Sequence, residues 1–325
     1  MNPGPNSCRI LVFGYGEVGY RCLEILLRRG EQVVGVFTHE DDLAEHQWFR
    51  SVAELAKRSG IPVWTGEDLR DAAALATIRR LAPDLIFSFY YRSMIPLQIL
   101  TLAGRGAFNM HGSLLPKYRG RAPVNWAVLH GETKTGATLH QMVERADAGD
   151  IVDQEPVEIG PEETAPEVMA KVTEAACLVL ERRLDELKAG CAPRIPQNHA
   201  LATKFGRRRP EDGRIDWGRS PEEIVNLVRA VTRPFPGAFT ETEAGRLYVW
   251  RARATKGSGA PGRVLSGQPL TVAAKSGAVE LLDWSLGTDA RDVRAPTVGT
   301  RLGMQGSRTN PEGGSDVPER ADTRV

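Results

Sequence analysis

The chain has 325 residues, 41% of them hydrophobic and 26% charged, and a formal net charge of +1. This is the composition of an ordinary globular protein with room for a large domain and a smaller one, and the near-neutral charge gives no general attraction for nucleic acid. No apolar run approaches the length of a transmembrane helix, and residues 1–7 lack the basic and apolar segments of a secretion signal, so we expect a cytoplasmic protein without a membrane partner.

Strand-like and helix-like segments alternate in the first half of the chain. Apolar runs at 9–13, 33–37, 62–64 and 85–89 predict strands, and amphipathic segments at 18–29, 52–59 and 69–81 predict helices between them. Continuous apolar strands separated by helices indicate a mainly parallel sheet covered on both faces. Further strands are predicted at 107–110 and 138–142, with a loop and a short helix at 123–130 between them.

A long helix is predicted after these strands. Thr164 and Glu167 form a capping box, apolar residues follow at helical spacing, and Gly190 ends the helix. Short strand-like runs at 247–250, 262–265, 270–273 and 279–282 then recur with turn residues between them, which predicts a small β-barrel. From Gly306 onward there is almost nothing to bury, so we expect disorder. The predicted organisation is a first domain at 1–200, a second at 201–305 and a tail at 306–325.

Asn109 and His111 lie where the strand at 107–110 ends. Ligands bind at the carboxyl ends of strands in parallel α/β sheets, and residues two apart on a strand point to the same side, so both side chains should enter one crevice. A hydrogen-bonded Asn and His without a function is the alternative. Asp147 follows the next predicted strand and could pair with a histidine, which is the minimum set for proton transfer near neutral pH.

The loop at 112–123 contains the cations Lys117, Arg119 and Arg121 among glycines and a serine. Arginine forks suit carboxylates and phosphates, so the loop predicts an anionic ligand, although a cation-rich loop is often only solvated. We expect no metal, because the histidines and aspartates around this region have no HxH or HxxxH spacing and the cysteines have no CxxC pair.

Gly14 to Gly19 match the GxGxxG turn of dinucleotide-binding proteins, with Glu40 about twenty residues beyond it. A tight strand-to-helix turn favours the same glycines without any nucleotide. Since Asn109, His111 and Asp147 have no natural role in hydride transfer, we interpret the turn as structural.

The segment 108–123, FNMHGSLLPKYRGRAP, resembles the signature of the formyltetrahydrofolate-dependent formyltransferases. Within that family the chain is similar to the formyltransferase domain of the bifunctional enzyme that formylates UDP-4-amino-4-deoxy-L-arabinose in lipid A modification and polymyxin resistance. The other matching segments are 87–92, 121–126, 131–133, 145–149, 205–208 and 234–239. The similarity extends over about 8–305, nearly the whole chain.

The resemblance implies a Rossmann-like catalytic domain followed by an OB-like barrel. It also implies 10-formyltetrahydrofolate as donor of a formyl group to the amine of a nucleotide-linked amino sugar. Asn109, His111 and Asp147 match the family's catalytic residues; Asn109 and His111 could stabilise a tetrahedral oxyanion, and His111 with Asp147 could move the proton. The positions that match the lining of the folate site are Ser93, Met94, Ile95, Arg121, Val143, Glu144, Arg145, Ala146 and Asp147.

Three alternatives stay open at this point. Methionyl-tRNA formyltransferase shares the fold, the donor and the catalytic residues, but an RNA partner needs cationic surface, whereas 39–42 is acidic and 207–209 is the only dense cationic run. Asn125 and Trp126 also resemble the sugar enzymes, so we favour a nucleotide sugar over nucleic acid.

A different nucleotide amino sugar, such as a dTDP-linked one, is the second alternative, and a non-catalytic NAD-binding regulator is the third. The pattern favours no particular oligomeric state.

Overall fold

The computed structural model describes residues 8–40, 48–66, 68–287 and 295–303. The strands in this part of the chain are β1 (Arg9–Gly14), β2 (Gln32–Thr38), β3 (Val63–Thr65), β4 (Leu85–Phe89), β5 (Ala107–His111), β6 (Arg119–Gly120), β7 (Lys134–Gln141), β8 (Ile151–Glu158), β9 (Lys204–Phe205), β10 (Ala238–Thr242), β11 (Gly245–Thr255), β12 (Val264–Gly267), β13 (Leu270–Ala274) and β14 (Gly277–Leu286). The α-helices are α1 (Gly16–Arg28), α2 (Val52–Arg58), α3 (Ala72–Leu81), α4 (Leu97–Leu100), α5 (Pro123–Leu129), α6 (Ala165–Ala189) and α7 (Pro221–Val231).

A seven-stranded sheet with the order β3-β2-β1-β4-β5-β7-β8 forms the first half of the fold. β1 to β5 are parallel, and β7 and β8 extend one edge in the antiparallel sense. The chain moves from one half of the sheet to the other between β3 and β4, so the carboxyl ends of β1 and β4 meet at a topological switch point. The predicted Rossmann-like, mainly parallel sheet is confirmed. The sequence pattern does not indicate β8, because that strand is largely polar and contains Pro156.

The parallel strands are apolar because both faces of the sheet are covered. β4 is buried along its whole length, as central parallel strands usually are. α1 and α6 share one hydrophobic cluster with Ile10 and Val12, whereas α3 and α4 share another with Leu11 and Phe13. Neighbouring residues of β1 thus point to opposite faces of the sheet. Because both faces are covered, polar side chains lie at the strand ends.

α6 confirms the predicted long helix. The Glu167 carboxylate accepts hydrogen bonds from the Thr164 amide at 2.8 Å and from the Thr164 hydroxyl at 2.6 Å, and Gly190 ends the helix at a φ of 71°. Elsewhere the predicted boundaries shift by a few residues. The helix predicted at 69–81 begins only at Ala72, because Asp71 takes extended backbone as the N-cap.

The second half of the fold is a five-stranded antiparallel sheet with the order β10-β11-β14-β13-β12. The predicted OB-like β domain is confirmed: β11, β13 and β14 contain predicted short runs, and β12 overlaps the run predicted at 262–265 at its last two residues. α7 is missing from the prediction, although Ser220 and Glu223 supply a capping box. This helix packs against α5 on one side and against β11 of the antiparallel sheet on the other.

The boundary predicted at 200 and 201 falls in a short 3-10 turn, His199–Leu201, and stays a prediction. The tail predicted at 306–325 lies outside the described residues. None of the helices described in this chain is both long and apolar enough to cross a bilayer.

Candidate active site

The polar side chains predicted from the sequence meet where β5 and β7 pair. In this antiparallel pair Asn109 lies opposite His140, and His111 lies opposite Thr138. Directly opposed residues share one face of a sheet, so the register brings these side chains to one place. The structure thus brings together Asn109, His111 and Asp147, and it adds His140.

Asp147 lies between the two histidines. Its Oδ1 atom is 3.7 Å from Nδ1 of His111 and 3.5 Å from Nε2 of His140, and its Oδ2 atom accepts a hydrogen bond of 2.8 Å from the Gly120 amide. Burial by itself would raise the pKa of Asp147, but the positive charge of His111 and the hydrogen bond from the Gly120 amide outweigh it and lower the pKa. Asp147 is therefore a carboxylate at neutral pH.

His111 is buried, and its ring orientation is fixed by the backbone. Its Nε2 atom lies 2.8 Å from the carbonyl oxygen of Tyr118. A carbonyl can only accept, so Nε2 carries the hydrogen and Nδ1 faces Asp147. The two contacts hold the ring between a carbonyl and a carboxylate, an arrangement suited to a proton-carrying imidazole.

The fourth polar side chain of this centre, His140, is not among the residues predicted from the sequence. It is 1% exposed, and its Nε2 atom lies 3.1 Å from Nδ2 of Asn109. One sequence feature does point to His140: residues 138 and 140 are two apart on a strand and so share a face, as Asn109 and His111 do. Without the pairing register, that signal does not connect His140 to Asn109.

The loop at 112–122 is held in place by Thr138. The Thr138 hydroxyl donates to the Ser113 carbonyl at 2.6 Å and accepts from the Leu115 amide at 3.2 Å and from Gln154 Nε2 at 2.8 Å. Three hydrogen bonds to one hydroxyl fix the start of the loop relative to β7 and β8.

The three cations of this loop have different surroundings. Arg119 is buried and donates to Gln197 Oε1 at 2.5 Å, and Gln197 in turn donates to the carbonyl of Asp147 at 2.9 Å. Arg119 therefore supports the backbone that carries Asp147, and it does not face solvent as a ligand-binding cation would. Lys117 lies 3.9 Å from Glu132, and Arg121 is exposed and donates to the Arg92 carbonyl at 2.9 Å.

The residues expected to line a folate site follow β4 and β7, the two strands that flank β5. Ser93 and Met94 are exposed after the end of β4, and Ile95 is buried in the same hydrophobic cluster that Met142 packs against. Val143, Glu144 and Arg145 are exposed after the end of β7, and Ala146 is half-buried. Met94 is 60% exposed and Val143 37%, so two apolar side chains face solvent next to a polar centre. Exposed apolar side chains in such a place are typical of ligand sites.

An aromatic cluster occupies the carboxyl ends of β1 and β2. Tyr15 contacts His39 and Phe49 with ring centroids 5.3 and 5.1 Å apart, and the Arg92 guanidinium lies 4.4 Å from the centre of the Tyr15 ring. Burial, together with the charges of Arg92 and Arg121, lowers the pKa of His39.

Trp48 extends the cluster toward the second domain. It contacts Phe49 and Phe235 at centroid distances of 5.6 and 6.0 Å and is 40% exposed. We call Tyr15, His39, Trp48, Phe49 and Phe235 the aromatic cluster. No local sequence pattern predicts this cluster, because its members come from four separate segments.

The glycines of the Gly14–Gly19 turn have a packing role. Gly16 has a φ of +65°, which favours glycine. A Cβ atom on Gly19 would lie 3.1 Å from the Gly14 carbonyl carbon and 3.2 Å from the Phe89 carbonyl oxygen. The turn therefore needs these glycines for α1 to start close to β1 and β4, whether or not a nucleotide binds.

Within the described residues, no group of three His, Cys, Asp or Glu side chains is arranged to hold a metal ion. The polar side chains that meet where β5 and β7 pair are an amide, two imidazoles and a carboxylate.

Solved structures of similar fold include several N-formyltransferases. One from Helicobacter canadensis, in complex with folinic acid and dTDP-3-aminofucose, has a TM-score of 0.67 and 17% identity over 84% of this chain and 98% of that one. A sugar N-formyltransferase from Shewanella sp. FDAARGOS_354 has a TM-score of 0.60 and 16% identity over 74% of this chain and 96% of that one. HypX from Aquifex aeolicus, in complex with tetrahydrofolic acid, has a TM-score of 0.61 and 20% identity over 86% of this chain, which spans 44% of that longer protein.

Two family models match the sequence along most of its length. The model described as formyl transferase matches residues 8–184, and the model described as formyl transferase, C-terminal domain, matches residues 208–293. The first match covers the seven-stranded sheet with Asn109, His111 and Asp147, and the second covers α7 and the antiparallel sheet. The chain therefore belongs to the formyl transferase family.

Proposed function

We propose that the protein transfers the formyl group of 10-formyltetrahydrofolate to the amine of a nucleotide-linked amino sugar. The observation that carries this proposal is the arrangement of Asn109, His111 and Asp147, in which a half-buried carboxylate faces an imidazole beside a side-chain amide. These groups suit acyl transfer, which needs a donor to the carbonyl oxygen and a group that moves a proton.

We assign to Asn109 and His111 the stabilisation of the oxygen of the formyl group. When the amine attacks the formyl carbon, negative charge develops on that oxygen, and hydrogen-bond donors fixed beforehand stabilise it without reorganisation. The Asn109 amide is half-buried, and the Tyr118 carbonyl accepts from Nε2 of His111. The ring nitrogen left for the formyl oxygen is Nδ1 when it carries the proton, because it is 3.7 Å from Asp147 and not hydrogen-bonded to it. Both groups are therefore preorganised before any substrate enters.

We assign to His111 and Asp147 the transfer of the proton. The attacking nitrogen must lose a proton, and the departing folate nitrogen must gain one, so one proton crosses the site in each turnover. The lowered pKa of Asp147 keeps its negative charge beside Nδ1 of His111. That charge stabilises the imidazolium form of His111 while the proton is in transit.

The donor is assigned to the rim formed by 93–95, 143–147 and Arg121. The exposed Met94 and Val143 offer apolar contacts to a flat folate ring system. Arg121 adds a cation beside them, and its hydrogen bond to the Arg92 carbonyl holds its guanidinium near Ser93. This assignment follows the family pattern, and the folate complexes of similar structures support it.

We propose that the nucleotide of the acceptor binds at the aromatic cluster and Arg92. Trp48 and Phe235 present aromatic surface for a base, and Arg92 and Arg121 lie close enough to His39 to lower its pKa. Stacking surface next to two guanidinium groups suits a base linked to a diphosphate. We propose UDP-4-amino-4-deoxy-L-arabinose as the acceptor, which would place the protein in lipid A modification.

A mass-spectrometric assay tests this proposal. Purified protein with 10-formyltetrahydrofolate is offered UDP-4-amino-4-deoxy-L-arabinose, a dTDP-linked amino sugar and methionyl-tRNA in parallel reactions. We expect a mass increase of one formyl group on the UDP-sugar, and none in a control with the His111→Ala variant.

Each other result has a distinct meaning. Formylation of the dTDP-sugar alone would keep the reaction and replace the acceptor. Formylation of methionyl-tRNA alone would overturn the nucleotide-sugar proposal. Inactivity with all three acceptors, together with NAD binding in a calorimetric titration, would support a regulator in place of an enzyme.

A further inference from the structure

The pairing of β5 with β7 sets a contact between Asn109 and His140 that the proposed roles above do not use. The two residues are directly opposed in the register, and Nδ2 of Asn109 lies 3.1 Å from Nε2 of His140. His140 is almost completely buried, so solvent does not compete for this contact. The contact belongs to the backbone arrangement of the sheet and exists without substrate.

Two hydrogen bonds identify the tautomer of His140. Its Nδ1 atom lies 2.9 Å from the carbonyl oxygen of Gln141, and a carbonyl can only accept, so Nδ1 carries a hydrogen. The amide nitrogen of Asn109 can only donate, so Nε2 accepts. Both contacts therefore agree on a neutral ring with its hydrogen on Nδ1.

Asp147 offers Nε2 of His140 a competing partner. The Asp147 Oδ1 atom lies 3.5 Å from Nε2, against 3.1 Å for the Asn109 nitrogen. A hydrogen bond to the carboxylate would require a hydrogen on Nε2, which is incompatible with accepting one from Asn109. The shorter distance favours Asn109, and Asp147 has His111 and the Gly120 amide as its own partners.

We propose that His140 is a positioning residue that orients the Asn109 amide for formyl transfer. One N–H of Asn109 donates to Nε2 of His140, which leaves the second N–H for the formyl oxygen. An amide held in this way cannot turn over and present its own carbonyl oxygen to the developing negative charge. This role rests on the proposed function, because it assigns Asn109 to the oxygen of the transferred group.

A double-mutant cycle tests the role. His140→Leu removes the acceptor and keeps an apolar side chain in the buried position, and His140→Gln places an amide oxygen near the position of Nε2. We expect His140→Leu to lower kcat about tenfold to a hundredfold with little change in KM, as misplacement of a catalytic group does. His140→Gln should recover most of that loss.

The same substitutions in an Asn109→Ala background separate positioning from general support. If His140 acts through Asn109, His140→Leu should cause no further loss of kcat once Asn109 is absent, because the two changes then remove the same interaction. An equal loss in both backgrounds would overturn the proposal and indicate that His140 acts through Asp147 or the fold. A wild-type kcat in His140→Leu would overturn it as well.

A measurement without substrate distinguishes failure of this inference from failure of the proposed function. In NMR spectra of protein labelled with 15N-asparagine, the side-chain amide signals of Asn109 are identified as those that are missing from the spectrum of Asn109→Ala. We expect one of these amide protons to exchange slowly in wild type and in His140→Gln, and faster in His140→Leu. Equal exchange rates in all three proteins would contradict the proposed hydrogen bond, whichever acceptor the enzyme uses.

Discussion

Nε2 of His111 donates to the carbonyl oxygen of Tyr118 at 2.8 Å, so the backbone of the loop at 112–122 selects the ring nitrogen that faces Asp147. The side chain of Tyr118 points elsewhere, because its hydroxyl donates to Glu132 at 2.8 Å. The identity of residue 118 therefore matters less for His111 than the path of its backbone.

Tyr118→Phe should keep kcat near the wild-type value. The substitution leaves the carbonyl oxygen in place and removes only the hydroxyl, with a loss of about 1–2 kcal/mol in the free energy of unfolding from its hydrogen bonds to Glu132 and His130. Turnover and urea denaturation of the two proteins measure both effects. A large fall in kcat at unchanged stability would show that the hydroxyl itself takes part in the reaction.

His111→Ala and Asp147→Asn should each lower kcat by roughly 10²–10⁴-fold, the range for loss of a general acid or base. The double variant should be little worse than either single variant, because the two residues act together. Steady-state kinetics with the acceptor identified by mass spectrometry measure the effect, and circular dichroism checks the fold. Near-normal turnover in both single variants would contradict the site assignment.

The lowered pKa of Asp147 predicts a dependence of stability on pH. Its folded pKa lies below the ordinary value of 3.8, so its stabilising contribution is complete above about pH 4 and is lost as the pH falls through the folded pKa. The difference in unfolding free energy between wild type and Asp147→Asn should therefore shrink as the pH falls below about 4. A difference that instead grows with acidity would mean that the carboxylate destabilises the folded state.

Gly112→Ala should destabilise the protein, because the new Cβ atom would lie 2.0 Å from the hydroxyl oxygen of Tyr90. We expect a loss of about 1–3 kcal/mol in unfolding free energy, as for other overpacked sites. The Tyr90 hydroxyl is buried without a hydrogen-bond partner among the described residues, so Tyr90→Phe should cost little by itself. Combined with Gly112→Ala, it should restore part of the lost stability; two additive losses would exclude this contact as the cause.

Trp48→Ala and Phe235→Ala should raise KM for the acceptor more than for the folate donor. Both side chains belong to the aromatic cluster assigned to the base, and loss of one stacking partner removes about 0.5–1.5 kcal/mol beyond the area buried. Leu282→Ala is a matched control, since Leu282 is 46% exposed and lies on the antiparallel sheet. Equal effects on both substrates, or an effect of the control, would argue against this assignment.

Much of the fold follows from the sequence because the informative residues are local. The run at 85–89 predicts β4 with its bounds unchanged, and the capping box at Thr164 predicts the start of α6. β8 and α7 escape the prediction for different reasons. β8 is mostly polar because it lies at the edge of the sheet, whereas α7 is amphipathic and begins with a capping box that the strand-rich surroundings obscure.

The sequence predicts only those residues of the candidate site that lie next to the end of a predicted strand. Asn109, His111 and Asp147 stand next to predicted strands, so their positions along the chain suggest a shared crevice. His140 depends on the antiparallel register of β7, and the aromatic cluster depends on the contact between Trp48 and Phe235. Such long-range contacts carry no local pattern, and the sequence therefore does not indicate them.

The contact between Trp48 and Phe235 also has an evolutionary consequence. Phe235 lies outside the sheet that carries Asn109, His111 and Asp147, in the segment between α7 and β10. Under the proposed assignment, substitutions in that segment can change which nucleotide is accepted while the reacting groups stay fixed. Acceptor choice and chemical step could therefore diverge separately among descendants of one ancestral gene.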